Sequence, residues 1–476
     1  MSNDLGDAPP RHRWLVLAIC CTSLLVVSMD ATIVNVALPV IRTDLQASIT
    51  ELQWTVDAYT LVLACFLMLA GATGDRVGRR RTFQVGLAVF GAGSLLCSLA
   101  PSVGWLIAAR AVQGLGGTML NPVAMSIITN VFTDPRERAR AIGVWGSVVG
   151  IALGLGPVLG GVLTEAVGWR AIFWVNVPVV LVAIALTARY VPESRAPHAR
   201  RPDPLGQVLV VVGLAALTTA VIEGPRLGWT SVTIVGLAVL AVVALAGLIV
   251  WERRRVEPLL ELRFFGSVPF SSATVIAVCA FAAFGSFLFL STLYLQEVRG
   301  LSALGAGLAL LPAAVTATVC APLSGRLVAT RGSRFSLVTA GVSMTVVAVV
   351  IAQVGPTTPL WVLLAAYALF GIGFGLVNPP ITNTAVSGMP RAQAGVAAAV
   401  ASTSRQVGST FGVAVSGTVV AAAVGVQAGL SPAWWVVAVA TAVVAVLGVA
   451  ATTTRARATA DRVADLFAEE PVPHRV

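Results

Sequence analysis

A carboxylate inside an apolar run is the first residue of this sequence that could do chemistry. Asp30 lies in MDATIVNVALP, Met29 to Pro39, at the far end of an otherwise uncharged stretch that begins at Trp14. A charge placed there costs about 2.5–3.5 kcal/mol on insertion scales, so it marks a functional site rather than filler. At a rise of 1.5 Å per residue, Asp30 stands roughly 24 Å above the inner end of its run. Asp57 lies about one turn inside the outer end of the run from Trp54, and Arg110 one to two turns down the run from Trp105. Three charges on three runs thus share one level. Desolvation opposes the charged form of a carboxylate and a guanidinium favours it, and a site balanced between the two can load and release a proton. On this reading Asp30 is the primary proton carrier and Asp57 a second carrier or a cation-binding charge. Arg110 favours the charged acid or holds polar groups in place. For Asp57 alone, an acid near a helix end reaching toward headgroups stays open. Glu165 and Glu223, at outer helix ends, read as snorkelling surface acids.

Two further motifs concern movement rather than protons. In GIALGLGPVLGG, Gly150 to Gly161, the residues Gly150, Gly154, Pro157 and Gly161 form one stripe on a helix. Small residues admit a close neighbour, and Pro157 removes a backbone donor and bends the axis. Such a helix packs tightly yet rocks, although plain small-residue packing would also account for the glycines. On the short loop from Gly71 to Arg81, glycines permit a tight turn. Arg79, Arg80 and Arg81 there fit an anchor on the cytoplasmic face. Asp75 among them fits a latch that closes the inner side by pairing with arginines or a helix N-terminus.

The elements that must carry these residues are membrane helices. Of 476 residues 57% are hydrophobic and 11% charged, against about 25% charged in a soluble domain. All 31 basic residues are Arg. With no Lys there is no P-loop, so the chain has no ATP site of that type. The net charge of +10 is spread over short loops rather than gathered on one face, which argues against nucleic acid as a partner. The six Cys lie within apolar runs and read as small hydrophobes, and His12, His198 and His474 lie in tails or a loop. No metal and no cofactor are expected. The Arg-rich N-terminus imitates a signal peptide, but the following run is too long for one and is read as a retained span.

Fourteen apolar runs are each of a length to cross a bilayer. They include 82–100, 105–130, 171–190 and 396–423. With the N-terminus inside, 25 Arg fall on the inner side and four, Arg42, Arg170, Arg226 and Arg299, on the outer. Arg110 and Arg405 remain within spans. This bias places both termini in the cytoplasm. Gly71 to Arg80 realigns with Gly325 to Arg334, and Gly114 to Pro122 with Gly371 to Pro379. The near-constant shift predicts an all-α polytopic protein of 14 transmembrane helices, two pseudo-symmetric six-helix bundles with two helices inserted between them. The expected divisions are a cytoplasmic tail at 1–13, a bundle at 14–190 and a linker at 191–204. The inserted helices follow at 205–251, then a cytoplasmic loop at 252–269, the second bundle at 270–452 and a tail at 453–476. One short amphipathic helix fits that tail.

Several stretches carry a resemblance over nearly the whole chain. GATGDRVGRR resembles the loop signature of the major facilitator superfamily, with Gly71, Asp75, Arg76, Gly78, Arg79 and Arg80 at its motif positions. LIAARAVQGLGG resembles its span 4 signature with Arg110 as the membrane arginine. The run with Gly150, Gly154, Gly156, Pro157, Gly160 and Gly161 resembles the span 5 motif of its exporters. MDATIVNVALP resembles the fourteen-span drug:proton antiporter branch, with Met29 where Leu is usual. WTVDAYTL, IEGPRLGW and YLQEVRGLSALGAGL are similar to further stretches of that branch. The second-half counterpart of span 5, around Gly408 to Gly417, lacks the Gly-Pro, as expected of a motif belonging to the first half. The resemblance implies a secondary active transporter of the plasma membrane, not an enzyme. It would exchange protons for a drug-like small molecule by alternating access. Asp57 resembles members that export organic cations, and IEGPRLGW those that export antibiotics such as methylenomycin or puromycin. A proton-coupled importer or uniporter of a small metabolite would share the fold.

Overall fold

Capping residues and prolines set where the helices of this chain begin and break. Ser48 and Glu51 form a capping box: the Ser48 hydroxyl accepts from the Glu51 backbone N–H at 3.2 Å, and the Glu51 carboxylate accepts from that of Ser48 at 2.8 Å. Ser102, Asp134, Ser231, Ser267 and Ser302 cap five more helices in the same way. The structure, a computed structural model, describes residues 10–196, 203–255, 258–387 and 394–468. Its first helices are α1 (Pro10–Asp44), α2 (Ile49–Val77), α3 (Arg79–Ser98), α4 (Val103–Thr118), α5 (Asn121–Val131), α6 (Pro135–Ala166), α7 (Ala171–Trp174) and α8 (Asn176–Tyr190). A pair follows, α9 (Pro204–Leu227) and α10 (Val232–Glu252). The remainder are α11 (Val268–Leu293), α12 (Ala303–Arg331), α13 (Ser333–Ile351), α14 (Leu360–Val386), α15 (Ala394–Ala421), α16 (Val426–Ala450) and α17 (Thr454–Ala468).

Among the described residues, 11 helical stretches are long and apolar enough to cross a membrane. The chain is an all-helical, multi-pass membrane protein. The expected runs that fall short of that measure are 82–100, 105–130 and 396–423. The first and last overlap α3, which opens on three Arg, and α15, which carries Ser, Thr, Arg and Gln. The middle one is two helices rather than one, because α4 and α5 part at Met119 and Leu120. Pro122 has no N–H to return to Thr118, and its ring crowds that carbonyl. The run 171–190 parts in the same manner at Val175, ahead of Pro178. Residues 1–9, the linker residues 197–202 with His198, and the end of the tail with His474 lie outside the described residues. What is described of the tail is α17, where an amphipathic helix was expected. It docks at the start of α11, with the Thr459 hydroxyl accepting from the Val268 N–H at 2.9 Å.

The internal repeat is visible in the helix bounds. Ile49 and Ala303, Val77 and Arg331, and Gly78 and Gly332 are each 254 residues apart, and Val103 and Leu360 are 257 apart. Thus α2 and α12 have equal length, and each stops at a glycine with positive φ, +129° at Gly78 and +76° at Gly332. A side chain at either would be strained, so the same residue ends the same helix twice.

Helices α1–α8 pack among themselves, as do α11–α16, while α9 pairs with α10 and lies against α2 and α15. The two sets meet chiefly along two seams, α6 on α12 and α2 on α15, with a smaller contact of α1 on α11. Gln53 of α2 donates to the carbonyl of Ala414 at 2.8 Å, and the Thr410 hydroxyl to that of Thr60 at 3.0 Å. At the end of the molecule near Asp44, Gln296 donates to the carbonyl of Val36 (2.8 Å) and Arg42 pairs with Glu297 (2.5 Å). Ile33, Leu38 and Ile41 of α1 join Leu293, Leu310 and Trp434 there in one buried cluster. Toward the opposite end, no described atom lies within 4 Å of a Cβ built on Gly143, Gly146, Gly325 or Gly395. Gln296–Val36 and Arg42–Glu297, two of the bonds between the sets, lie toward the end near Asp44.

The closest approach of a glycine to a neighbouring backbone within the first set is α3 on α4. A Cβ on Gly116 would stand 2.7 Å from the Gly86 carbonyl oxygen and from Phe90 Cα. Gly116→Val therefore overpacks the pair at a cost of about 1–3 kcal/mol. The expected outcome is a thermal midpoint several degrees lower by fluorescence-detected size exclusion. Gly104→Ala, with nothing within 4 Å on the same helix, should leave it unchanged or slightly raised.

Candidate functional site

Arg110 of α4 and Asp30 of α1 meet in the interior of the first set. Asp30 is 0% and Arg110 1% exposed, and Arg110 Nη1 donates to Asp30 Oδ2. The other carboxylate oxygen, Oδ1, accepts from Gln113 Nε2 at 2.7 Å and from Asn176 Nδ2 at 3.0 Å. Gln113 also donates to the Ser94 hydroxyl (2.8 Å) and accepts from Arg110 (2.6 Å) through its own oxygen. Arg110 Nε reaches the backbone carbonyl of Thr55 at 3.1 Å. Its guanidinium lies 4.3 Å over the Tyr59 ring, a face that attracts a cation. Both oxygens of the acid are therefore bonded, and α1, α3, α4 and α8 are tied through one carboxylate.

The sequence singles out Asp30 and Arg110, and the fold brings them together. It leaves Asp57 out of their cluster. Tyr59 faces Arg110, and Asp57, two residues away, is turned about 200° around α2. Asp57 is also 0% exposed, with Thr60 as its hydroxyl neighbour at 3.5 Å and no partner for Oδ2 among the described residues. It lies near the seam with α15, where Thr60 bonds Thr410. Asn176, Ser94 and Tyr59 carry no signal in the sequence strong enough to single them out. Gln113 alone had one: it stands three residues from Arg110, on the same helical face.

Glu165 and Glu223 are not free surface acids. Glu165 Oε1 accepts from the Leu304 backbone N–H at 2.9 Å, which places an anion at the N-terminus of α12. Glu223 accepts from Trp54 Nε1 at 3.0 Å and pairs with Arg226 at 2.7 Å, joining α9 to α2.

The small residues of α6 divide between two partners. Gly150 faces Thr318, Gly154 faces Ala314 (3.5 Å from a built Cβ), Gly161 faces Leu304 and Pro157 meets Gly307, all on α12. Gly156 and Gly160 face α1 instead, against Thr32 and the Ile33 carbonyl, within a turn of Asp30. One helix thus touches both the buried acid's own helix and the second set.

At the α2–α3 loop, Asp75 Oδ1 accepts from Arg79 Nη2 (2.9 Å) and Nε (3.1 Å). Arg79 N–H donates to the Ser194 carbonyl at 2.9 Å, Ala196 N–H to that of Asp75 at 3.0 Å, and Arg80 N–H to Glu193 at 3.1 Å. A Cβ on Gly78 would meet Glu193, and one on Gly71 would touch Pro122 at 3.6 Å. Arg76 is exposed. These bonds hold the loop to the segment after α8, within the first set.

The family model described as Major Facilitator Superfamily matches residues 20–413. Multidrug resistance protein Stp of Mycobacterium tuberculosis is 38% identical over 413 residues, 87% of this chain and 76% of that protein. The Methylenomycin A resistance protein of Streptomyces coelicolor is 36% identical over 87% of this chain and 86% of its own length. Multidrug efflux pump LfrA of Mycolicibacterium smegmatis is 34% identical over 89% and 84% respectively.

Removing one partner of a buried ion pair leaves the other charge uncompensated, at a cost of about 3–5 kcal/mol. Arg110→Met should therefore be strongly destabilised. Adding Asp30→Asn to it should restore part of the loss, because the stranded charge is gone. Thermal unfolding of the two single variants and the double variant in detergent reads the coupling, and strict additivity would contradict it.

Proposed function

The chain belongs to the Major Facilitator Superfamily, and from that premise we propose that it is a proton-coupled antiporter exporting drugs or antibiotics across the cytoplasmic membrane. The observation that carries this reading is the fully buried Asp30, bonded to a fixed guanidinium and to two side-chain amides. A proton on Asp30 removes the negative charge that holds Arg110. Arg110 then keeps the Gln113 oxygen and the Thr55 carbonyl as acceptors. Protonation accordingly loosens α1 from α4 without stranding the arginine. The relatives named for drug and antibiotic resistance support export as the direction.

Alternating access would use the two sets of helices as the two pseudo-symmetric bundles of a fourteen-span protein, with α9 and α10 inserted. Movement of α1 reaches the second set through α6, since Gly156 and Gly160 lie on α1 while Gly150, Gly154, Pro157 and Gly161 lie on α12. The arginine bias places both termini, and the α2–α3 loop, inside. The end near Asp44, where Gln296 and Arg42 bond across the sets, is then outside, which supports a conformation facing the cytoplasm. Among the described residues, the latch residues Asp75, Arg79 and Arg80 bond within the first set, as a disengaged latch would. A drug-like substrate would enter between the sets, where Leu153 and Pro157 of α6 face Phe284, Phe287 and Phe374 across an apolar pocket. Asp57, at the α2–α15 seam, would sense either a second proton or the substrate's charge.

The test is transport in inverted vesicles energised with a proton gradient, with a panel of lipophilic cations and antibiotics added. Wild type should release protons on addition of a substrate. Asp30→Asn should be inserted and folded yet lose that coupled signal, and full coupled activity in the variant would sink the assignment.

A further inference from the structure

We propose that Arg405 recognises the substrate and selects aromatic compounds carrying an anionic group, a carboxylate or an ionised phenol or enol. The inference rests on the exporter reading and names the substrate class for the same pocket. Arg405 lies about three turns into α15. Unlike Arg110, it forms no ion pair among the described residues. Helices α11–α16 contain no Asp and no Glu at all. Of the five N–H groups of a guanidinium, two find hydroxyls: Nη2 donates to Thr382 at 2.5 Å and Nη1 to Ser402 at 3.3 Å. Nε is buried with no acceptor. A cation held in an apolar helix bundle with its donors partly unused is an uncompensated charge, and such residues face substrate paths.

What it faces is aromatic. The guanidinium stands 5.9 Å over the Phe281 ring, and Phe281 meets Phe374 edge-on at 5.2 Å. Phe374 stacks on Phe284 at 4.3 Å with 12° between the planes. Phe284 and Phe374 line the pocket that reaches Pro157 of α6. Arg405, Phe281 and Phe284 are all partly exposed. A planar ring system can lie against this wall while its anionic group takes the fork of Arg405, a charge-assisted bond about twice as strong as a neutral one. A lipophilic cation placed there would meet the guanidinium's charge with no carboxylate on α11–α16 to offset it.

The experiment uses two dyes with one xanthene ring system and opposite charge, fluorescein and rhodamine 6G. Binding to the full-length protein in lipid nanodiscs is read by fluorescence anisotropy. Wild type should bind fluorescein about ten-fold tighter than rhodamine 6G or better. Arg405→Gln should weaken fluorescein by about ten-fold and rhodamine 6G by no more than about two-fold. Phe284→Ala, which removes only the shared stacking wall, should weaken both. Tighter or equal binding of rhodamine 6G by wild type overturns the proposal, as does failure to bind either dye. Equal weakening of both dyes by Arg405→Gln would mean that Arg405 merely joins α15 to α14. Should that variant not fold, the wild-type preference and Phe284→Ala still decide. Proton-driven transport of rhodamine 6G without an anion preference would remove this inference and leave the exporter standing. Fluorescein binding without any proton-driven transport would do the reverse.

Discussion

A carboxylate and a guanidinium that share no solvent hold the first set of helices in register. Neither Asp30 nor Arg110 is tolerable alone at that depth, because each would be a bare charge in a medium that cannot solvate it. Together, with Gln113, Asn176 and Ser94 completing the bonds, they fasten α1 to α3, α4 and α8. On the proposed reading, one proton on Asp30 would change packing as well as charge. In water the same pair would contribute little, and its protonation would move nothing.

For a local change to matter elsewhere, something must carry it, and α6 is placed to do so. Its glycines at 156 and 160 bring it so near α1 that the Ile33 carbonyl lies 2.8 Å from where a Cβ on Gly160 would sit. Its other small face lies as close to α12, where a Cβ on Gly161 would stand 2.6 Å from Leu304 Cα. Surfaces in such contact cannot deform gradually; they slide or stay. The bend that Pro157 permits falls between the two faces, at the level of the apolar pocket.

Much of this was legible in the residues. Composition and run length give the membrane class, and the offset of 254 residues foretells that α2 and α12 end alike. Lone polar residues were less legible, since Asn176 and Ser94 sit in apolar runs with nothing in their neighbourhood to distinguish a cluster member from a helix-bonded side chain. Asp57 shows a different failure. Depth along a helix was used without azimuth, and two residues of separation from Tyr59 turn it to the other side. The stripe of Gly150, Gly154, Pro157 and Gly161 is legible as one face, and all four meet α12, while Gly156 and Gly160 lie about 100° round the helix against α1. Proline gave mixed signals: Pro122 separates α4 from α5, whereas its repeat counterpart Pro379 lies inside the unbroken α14. Local preference was equal in the two places, so surrounding packing decided.

That last contrast extends to the chemistry. The two sets share helix bounds at α2 and α12 but not their acids. Asp30 and Asp57 lie in α1 and α2, while α11–α16 hold no Asp, Glu or His. Helices α11–α16 therefore offer no carboxylate or imidazole to bind a proton in the physiological range, and the second set's Glu297, just past α11, is paired with Arg42. On the proposed reading, free energy supplied by a proton on Asp30 or Asp57 enters through the first set and crosses to the second. The glycine-lined contact of α6 with α12 and the hydroxyl contact of Thr60 with Thr410 are two of the routes the packing offers, beside the direct contact of α1 with α11. The first begins beside Asp30 and the second beside Asp57, so each buried acid stands at the head of its own seam.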